Sequence, residues 1–147
     1  MSSGRLRLTV LLAAVALGCG SSSAAGSGAD TAKQAATDAA TRLEGSWTLV
    51  EFQTDQALEP MLATLLASQM NQLTATFHAG TLQIEGVGVN ATRSYRVTQA
   101  AADGFSLTIT DPMNVEYRST GAFQANDLFF TSLTDPWRGH GRLRRSR

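Results

Sequence analysis

Apolar and polar residues alternate with a period of two along most of the chain after Gly45. The clearest case is Gly104–Thr110 (GFSLTIT), in which Phe105, Leu107 and Ile109 alternate with serine and threonine. Successive side chains of a β-strand point to opposite faces, so this alternation predicts half-buried strands. The same spacing occurs at Leu73–Phe77, at Leu82 and Ile84, and at Tyr95 and Val97.

Turn-forming residues separate these runs. The predicted turns are His78–Gly80, Gly86–Asn90, Ala102–Gly104, Asp111–Pro112, Gly121, Asn126–Asp127 and Asp135–Pro136. Short strands at this spacing, with no crossover helices between the later ones, favour antiparallel pairing of neighbours. The predicted fold is therefore mainly β: a small antiparallel meander β-barrel of about eight strands.

One helix is predicted between the first two strands, in EPMLATLLASQMNQL. Pro60 suits a first helical turn, and the larger apolar residues follow three- and four-residue spacing, so one side of the helix should pack against the barrel. These residues are Leu62, Leu65, Leu66, Met70 and Leu73. The helix either caps one end of the barrel or only packs against it.

The segment before the barrel is rich in small residues. Residues 20–29 (GSSSAAGSGA) have no apolar side chain larger than alanine, which is typical of a flexible tether. The next stretch is either a short helix, with Asp30 as its N-cap and Gly45 just after its end, or a continuation of the tether. The predicted division is a tether over residues 19–41 and a barrel domain over residues 42–147.

The N-terminus has the features of a targeting signal. Arg5 and Arg7 precede the ten-residue apolar segment Leu8–Leu17, which is too short to span a membrane and suits a signal peptide. The following Ala16-Leu17-Gly18-Cys19 resembles the lipobox of bacterial lipoproteins. The resemblance implies a signal peptide over residues 1–18, an acylated Cys19 that anchors the protein in a membrane, and a place in the bacterial cell envelope. Gly20 stands where aspartate retains lipoproteins at the inner membrane, which by analogy favours the outer membrane.

Two short motifs resemble the lipocalins and their bacterial relatives in the calycin group. Leu43–Trp47 (LEGSW) is similar to their Gly-x-Trp start, and Trp137–Arg145 (WRGHGRLRR) is similar to their last strand. The resemblance covers residues 43–145 and implies an arginine lying across Trp47 to close the barrel. Side chains two residues apart on a strand lie on the same face, so Arg145 shares the face of Leu143. Arg145 is therefore the expected partner of Trp47, with Arg142 and Arg144 as alternatives. The stretch LEGSWTLVEF is also similar to the META/heat-shock lipoprotein pattern.

Composition and charge restrict the chemistry further. The chain has 147 residues, with 43% hydrophobic residues and twelve basic against twelve acidic residues, so no overall positive field favours nucleic acid. His78 and His140 stand singly, and neither metal-ligand spacing nor a Gly-x-Ser-x-Gly elbow occurs. We therefore expect no enzymatic activity, no metal and no cofactor. The C-terminal arginines either contact anionic lipid headgroups or comprise one structural arginine with solvated neighbours; they are Arg138, Arg142, Arg144, Arg145 and Arg147.

Two functions from different classes remain. The barrel either binds a small apolar ligand in its interior or has a solid core and acts as a structural, stress-related or protein-interaction module of the envelope. The candidate ligand-lining residues are Leu49, Phe77, Ile84, Tyr95, Phe105, Leu107 and Tyr117. Interlocked phenylalanines would favour the solid core, and loosely packed inward positions would favour a ligand.

Overall fold

The structure is a computed structural model that describes residues 25–131 and 138–147. The predicted signal peptide, Cys19 and Trp137 lie outside these ranges. Within them the chain forms two helices and eight strands. In chain order these are α1 (Ala25–Leu43), β1 (Gly45–Thr54), α2 (Pro60–Gln69), β2 (Thr74–His78), β3 (Thr81–Gly86), β4 (Val89–Ala101), β5 (Gly104–Thr110), β6 (Glu116–Gln124), β7 (Asp127–Thr131) and β8 (Gly139–Arg145).

The strands form a closed antiparallel barrel in which each strand pairs with its neighbour in sequence and β8 pairs with β1. This confirms the predicted meander barrel, with α2 between the first two strands. The turn between β4 and β5 and the bounds of β5 lie where the alternation predicted them. Closure gives each of the eight strands a partner on both sides, which satisfies backbone groups that an open sheet would leave unpaired at its edges.

The meander places successive connections at alternate ends of the barrel. At one end, here called the α1 end, α1 leads into β1, and the β2–β3, β4–β5 and β6–β7 turns follow. At the other, the α2 end, lie α2, the β3–β4 turn and the β5–β6 loop. The two ends differ in packing, and this difference determines where a site can form.

Helix α1 extends through most of the segment predicted as a tether. It begins at Ala25, so Asp30 lies inside the helix instead of at its N-cap. Alanine has the highest helix propensity, which accounts for the longer helix. Ala39 and Leu43 are buried against the barrel, and Arg42 forms an ion pair with Asp103 in the β4–β5 turn at 2.9 Å. None of the helices in the described ranges combines the length and hydropathy that a membrane crossing requires.

Aromatic side chains fill the barrel interior toward the α1 end. The ring centroids of Phe105 and Phe123 are 5.0 Å apart, those of Phe77 and Tyr95 are 5.1 Å apart, and Trp47 lies 6.3 Å from Phe123. The buried apolar residues are Ala39, Leu43, Trp47, Leu49, Ala75, Phe77, Leu82, Tyr95, Phe105, Leu107, Ile109, Phe123, Leu128 and Leu143.

The prediction of a turn at Gly121 was wrong, because this glycine lies within β6 opposite Phe105 and Phe130. A Cβ at this position would collide with Phe105 Cζ and lie 2.9 Å from Phe105 Cε2. Gly121 therefore provides space for an aromatic ring inside the barrel. Its function is packing, which a local turn signal cannot distinguish from chain reversal.

We expect Gly121→Ala to lower the free energy of unfolding by about 1–3 kcal/mol, because the added methyl group overpacks the core beside Phe105. Urea unfolding followed by circular dichroism would measure the change. Gly28→Ala is the matched control, since Gly28 lies in α1 and a methyl group added there would meet no atom within 4 Å. It should stabilise the protein slightly by raising helix propensity. Equal or greater stability of Gly121→Ala would contradict this account.

Candidate functional site

Helix α2 packs only loosely on the barrel. Its apolar residues were expected to form a buried face, but none of the five is buried, and Leu65 remains 39% exposed. Met61 is 81% exposed. Residues 60–73 contain no charged side chain, so α2 is an uncharged helix lying partly in solvent at the α2 end.

The buried side chain of α2 is Gln69, which is 3% exposed. Its Nε2 donates to the backbone carbonyl of Val87 at 2.8 Å, and its Oε1 accepts from the Val87 backbone N–H at 3.1 Å. Both groups of the amide are therefore satisfied by the β3–β4 turn. A Cβ at Gly86 would collide with Gln69 Oε1, so the glycine permits this close approach. The C-terminal end of α2 is fixed to the barrel at this point.

An apolar cavity of about 100 Å³ lies between α2 and the barrel interior. Leu66 of α2 and Leu73, which precedes β2, line it together with residues of the strands. Its lining consists of Leu49, Phe52, Leu66, Leu73, Ala75, Ile84, Arg93, Ile109, Phe130 and Leu143. Nine of these residues are apolar and one is charged, which is the composition of a small-molecule site.

The predicted lining residues separate into three groups. Leu49 and Ile84 line the cavity, while Tyr117 lies at the α2 end beside Arg93. The other four, Phe77, Tyr95, Phe105 and Leu107, belong to the packed core. Tyr95 reaches Glu44 at 3.4 Å through its hydroxyl, and burial followed by the Glu44 charge raises its pKa above the ordinary value. Packed side chains therefore fill the half of the barrel interior that lies toward the α1 end.

The charged lining residue, Arg93, was not predicted. It shares the inward parity of Tyr95 on β4, and this spacing was the available signal. Its Cζ lies 5.6 Å from the centroid of the Tyr117 ring. The Tyr117 hydroxyl donates to Asp111 at 3.3 Å, and the Met113 and Val115 backbone N–H groups donate to the same carboxylate at 2.8 and 2.9 Å.

These contacts keep Asp111 ionised. The hydrogen bond from the Val115 backbone is the largest cause of a lowered pKa at Asp111. Hydrogen bonds from Met113 and Tyr117, and the positive charge of Arg93, lower the pKa further. The α2 end therefore holds a fixed carboxylate in the β5–β6 loop and a cation at the cavity mouth.

At the α1 end, Arg145 lies over Trp47 with its Cζ 4.5 Å from the ring centroid. Its guanidinium also donates to the backbone carbonyls of Glu44, at 3.0 Å, and of Arg42. The indole N–H of Trp47 donates to the carbonyl of Leu43 at 2.7 Å. Together these contacts join the end of α1 to both β1 and β8.

The two alternative arginines point elsewhere. Arg142 lies 3.0 Å from Asp127 and 3.2 Å from Glu51, and Arg144 lies 3.2 Å from Asp127. Hydrogen bonds from Arg144 and Arg142 hold the pKa of Asp127 below its ordinary value. Arg142, Arg144 and Arg145 therefore have partners within the domain.

The histidines are separate from the cavity. His78 lies 3.2 Å from Glu44, and His140 lies 3.2 Å from Gln53 and 3.7 Å from Asp55. Among the residues that the structure describes, no group of three or more His, Cys, Asp or Glu side chains could hold a metal ion. The chemistry available at the cavity is therefore apolar contact together with one guanidinium.

Comparison with protein-family models, with curated proteins and with solved structures found no match to this chain.

We expect Arg145→Ala to lower the free energy of unfolding by about 1–2 kcal/mol, because it removes a cation–π contact and two hydrogen bonds from a charged donor. Chemical denaturation would measure the loss. Arg147→Ala removes an exposed arginine two residues later and should change stability by less than about 0.5 kcal/mol. Similar effects of the two substitutions would argue against a stabilising role for Arg145.

Proposed function

We propose that this protein is a non-enzymatic, lipocalin-like binding module of the bacterial cell envelope that holds a small apolar ligand beneath α2. The main support for this proposal is the cavity of about 100 Å³, whose ten lining residues include nine apolar side chains. Apolar cavities accept apolar molecules. The ligand would be a small apolar group or the end of an apolar chain.

The loose packing of α2 supports ligand access at this end. Leu66 covers the cavity, while Met61 and Leu65 on the same helix are exposed. Elements with few buried contacts open at low free-energy cost. Because Gln69 fixes one end of the helix to the β3–β4 turn, we propose that the opposite end, at Pro60, moves when a ligand enters.

We also propose that the protein is attached to a membrane through acylated Cys19, after removal of residues 1–18. The basic n-region, the ten-residue apolar segment and the lipobox resemblance support this anchor. Acyl chains contribute about 0.8 kcal/mol per buried methylene, so two or more chains give stable attachment. By analogy with lipoprotein sorting, the outer membrane is the favoured location.

A second candidate function is an envelope interaction module whose barrel takes no ligand. Its support comes from the exposed large apolar residues of the described ranges, all of which lie on connections that the topology places at the α2 end. They are Met61, Leu65, Val87, Met113 and Val115. Apolar residues gathered at one end of a domain are typical of a contact surface. The packed phenylalanines at the α1 end favour the same candidate.

We expect the chain carrying Cys19→Ser to bind 1-hexanol with a dissociation constant on the order of 1 mM. Burial of six apolar carbons at about 0.8 kcal/mol each contributes about 4.8 kcal/mol, and a dissociation constant of 1 mM corresponds to about 4.1 kcal/mol. A titration followed by ¹H–¹⁵N NMR would show saturable shifts around the cavity. Ala75→Leu should fill the cavity and weaken binding at least tenfold, whereas Ala101→Leu, exposed at the α1 end of β4, should not.

Absence of saturable binding, or equal binding by Ala75→Leu, would sink the ligand proposal and favour the interaction module. Thermal unfolding of both variants would show that the barrel is intact. The exposed control also excludes a general effect of an added leucine.

The anchor has its own test. In a bacterial host, we expect the wild-type chain to incorporate labelled palmitate and to partition into the detergent phase, because acylation adds apolar chains. Cys19→Ser should lose both properties, and density fractionation would locate the wild-type protein between inner and outer membranes. Identical labelling and partition of the two chains would show that Cys19 is not the acylation site.

A further inference from the structure

A groove of about 380 Å³ lies on the outer face of β4, β5 and β6, and its size is within the range of small-molecule sites. Among the described residues, none lines both this groove and the cavity beneath α2. Ten of its eleven described lining residues have polar side chains. These polar residues include Arg96, Gln99, Ser106, Thr108, Glu116 and Arg118. We call this feature the outer groove, and its polar lining distinguishes it from the apolar cavity.

Thr108 lies at the floor of the outer groove. Its neighbours on β5, Leu107 and Ile109, belong to the core, so the side chain of Thr108 points to the outer face of the barrel. Thr108 is nevertheless only 6% exposed. A hydroxyl at this depth needs a hydrogen-bond partner, because burying an unpaired polar group is unfavourable.

Thr108 differs from the other buried polar residues of the described ranges because its side chain has no hydrogen-bond partner there. The Gln69 amide bonds to the backbone of the β3–β4 turn, and the Ser119 hydroxyl donates to the backbone carbonyl of Thr131. Every fully enclosed polar side-chain atom in the same ranges has a partner. The unbonded hydroxyl of Thr108 is therefore not enclosed, and it opens to the outer groove as a donor and acceptor.

An arginine stands on each side of Thr108. The antiparallel register pairs Arg96 of β4 with Thr108, and it pairs Thr108 with Arg118 of β6. Neighbouring strands lie about 4.8 Å apart, so the Cα atoms of the two arginines are about 10 Å apart, with Thr108 between them. Residues directly opposite one another on paired strands share a face of the sheet. Two guanidinium groups and one hydroxyl therefore face the same groove.

The two arginines are only partly neutralised. Arg96 lies 3.9 Å from Glu116, which is too long for a hydrogen bond, and both side chains are exposed. Arg118 forms no ion pair and donates no hydrogen bond to a residue that the structure describes. One carboxylate for two guanidinium groups leaves an excess of positive charge in the outer groove. An anion between the arginines would remove the repulsion of like charges on one face of the sheet.

Two further polar side chains extend the outer groove beyond the arginines. Gln99 of β4 pairs in register with Ser106 of β5. Within the described part of the chain neither side chain makes a hydrogen bond, so an amide and a hydroxyl are available at this position. Such groups donate to and accept from the hydroxyls of a sugar or another polyol. The groove is therefore cationic beside Thr108, and it is polar and uncharged beside Ser106.

We propose that the outer groove binds a phosphate ester of a sugar or another polyol, with the phosphate on Arg96, Arg118 and the Thr108 hydroxyl. A tetrahedral phosphate has acceptor oxygens in several directions, whereas the two oxygens of a carboxylate lie in one plane. The phosphate therefore suits donors that approach from both sides and from the floor. The sugar or polyol contacts Gln99 and Ser106. This inference does not depend on the ligand proposed beneath α2.

The test compares glucose 1-phosphate, glucuronate and glucose, three related sugars that carry a phosphate, a carboxylate and no charge. Each probe is titrated into the full chain carrying Cys19→Ser and is followed by ¹H–¹⁵N NMR, in which saturable shifts should surround Thr108. We expect glucose 1-phosphate to bind at least about tenfold more tightly than glucose and about threefold more tightly than glucuronate. Equal binding of glucuronate and glucose 1-phosphate would overturn the assignment to phosphate.

Two variants and two matched controls locate the site. Arg118→Gln should weaken glucose 1-phosphate binding at least about tenfold, and Thr108→Val, which removes a hydroxyl but retains the side-chain shape, about threefold. Arg147→Gln removes an arginine near the C-terminus, and Thr110→Val removes a hydroxyl two residues later on the same face of β5. Both controls should bind within about twofold of the chain without these substitutions. Thermal unfolding of each variant would show that the barrel is intact.

A fourth probe identifies the source of the phosphate. Glycerophosphoglycerol is the diester head group of phosphatidylglycerol, so tighter binding of this probe would assign the groove to a lipid head group. Tighter binding of glucose 1-phosphate would assign it to a sugar phosphate, and either result supports the inference. It is overturned if neither ester binds saturably, if Thr108→Val and Arg118→Gln retain full affinity, or if Arg147→Gln loses as much as Arg118→Gln. The last result would reflect overall charge instead of a local site.

Discussion

The pairing of β1 with β8 is the constraint on which the rest of the structure depends. These strands come from opposite ends of the domain, and their register runs from Trp47 with Arg145 to Thr54 with Gly139, with one irregularity between Leu49 and Glu51. A closed barrel admits only mutually consistent register and tilt, so this pairing decides which residues of the other strands face inward. The contacts of Arg145 with Trp47 and with the end of α1 lie at the first pair of that register.

Closure creates an interior that the side chains fill unevenly. Toward the α1 end, aromatic rings are in mutual contact, and Gly121 leaves room for Phe105. Toward the α2 end, Gly141 accommodates Phe52 and Phe130, whose centroids are 6.1 Å apart, and the cavity remains beside them. One sheet therefore contains a packed half that stabilises the barrel and a looser half that retains an apolar cavity.

The sequence was sufficient for the strands but only partly for the site. The alternation of apolar and polar residues is a local pattern that indicates a half-buried strand. The sequence therefore predicted β5 and the neighbouring turns. The role of Gly121 could not be predicted, because the ring that requires a glycine at this position belongs to Phe105 on another strand. Leu49 and Ile84 were named as lining residues, whereas Phe77 and Phe105 have the same parity but lie deeper. Alternation indicates on which face of a strand a side chain lies, but not how deep within the barrel it lies. Arg93 was missed because an inward charge breaks the pattern that identifies inward positions.

The attachment of α2 through Gln69 has a consequence for how such a protein can diverge. The amide contacts backbone atoms of Val87, so it fixes the helix without specifying the side chain that follows Gly86. Residues 55–68 contribute little to the buried core, and substitutions there carry a small penalty in folding free energy. This segment is therefore free to accumulate changes in length and shape while the barrel is conserved. A lineage could reshape the α2 end of the barrel by varying one short stretch of chain, with the eight strands under separate selection for stability.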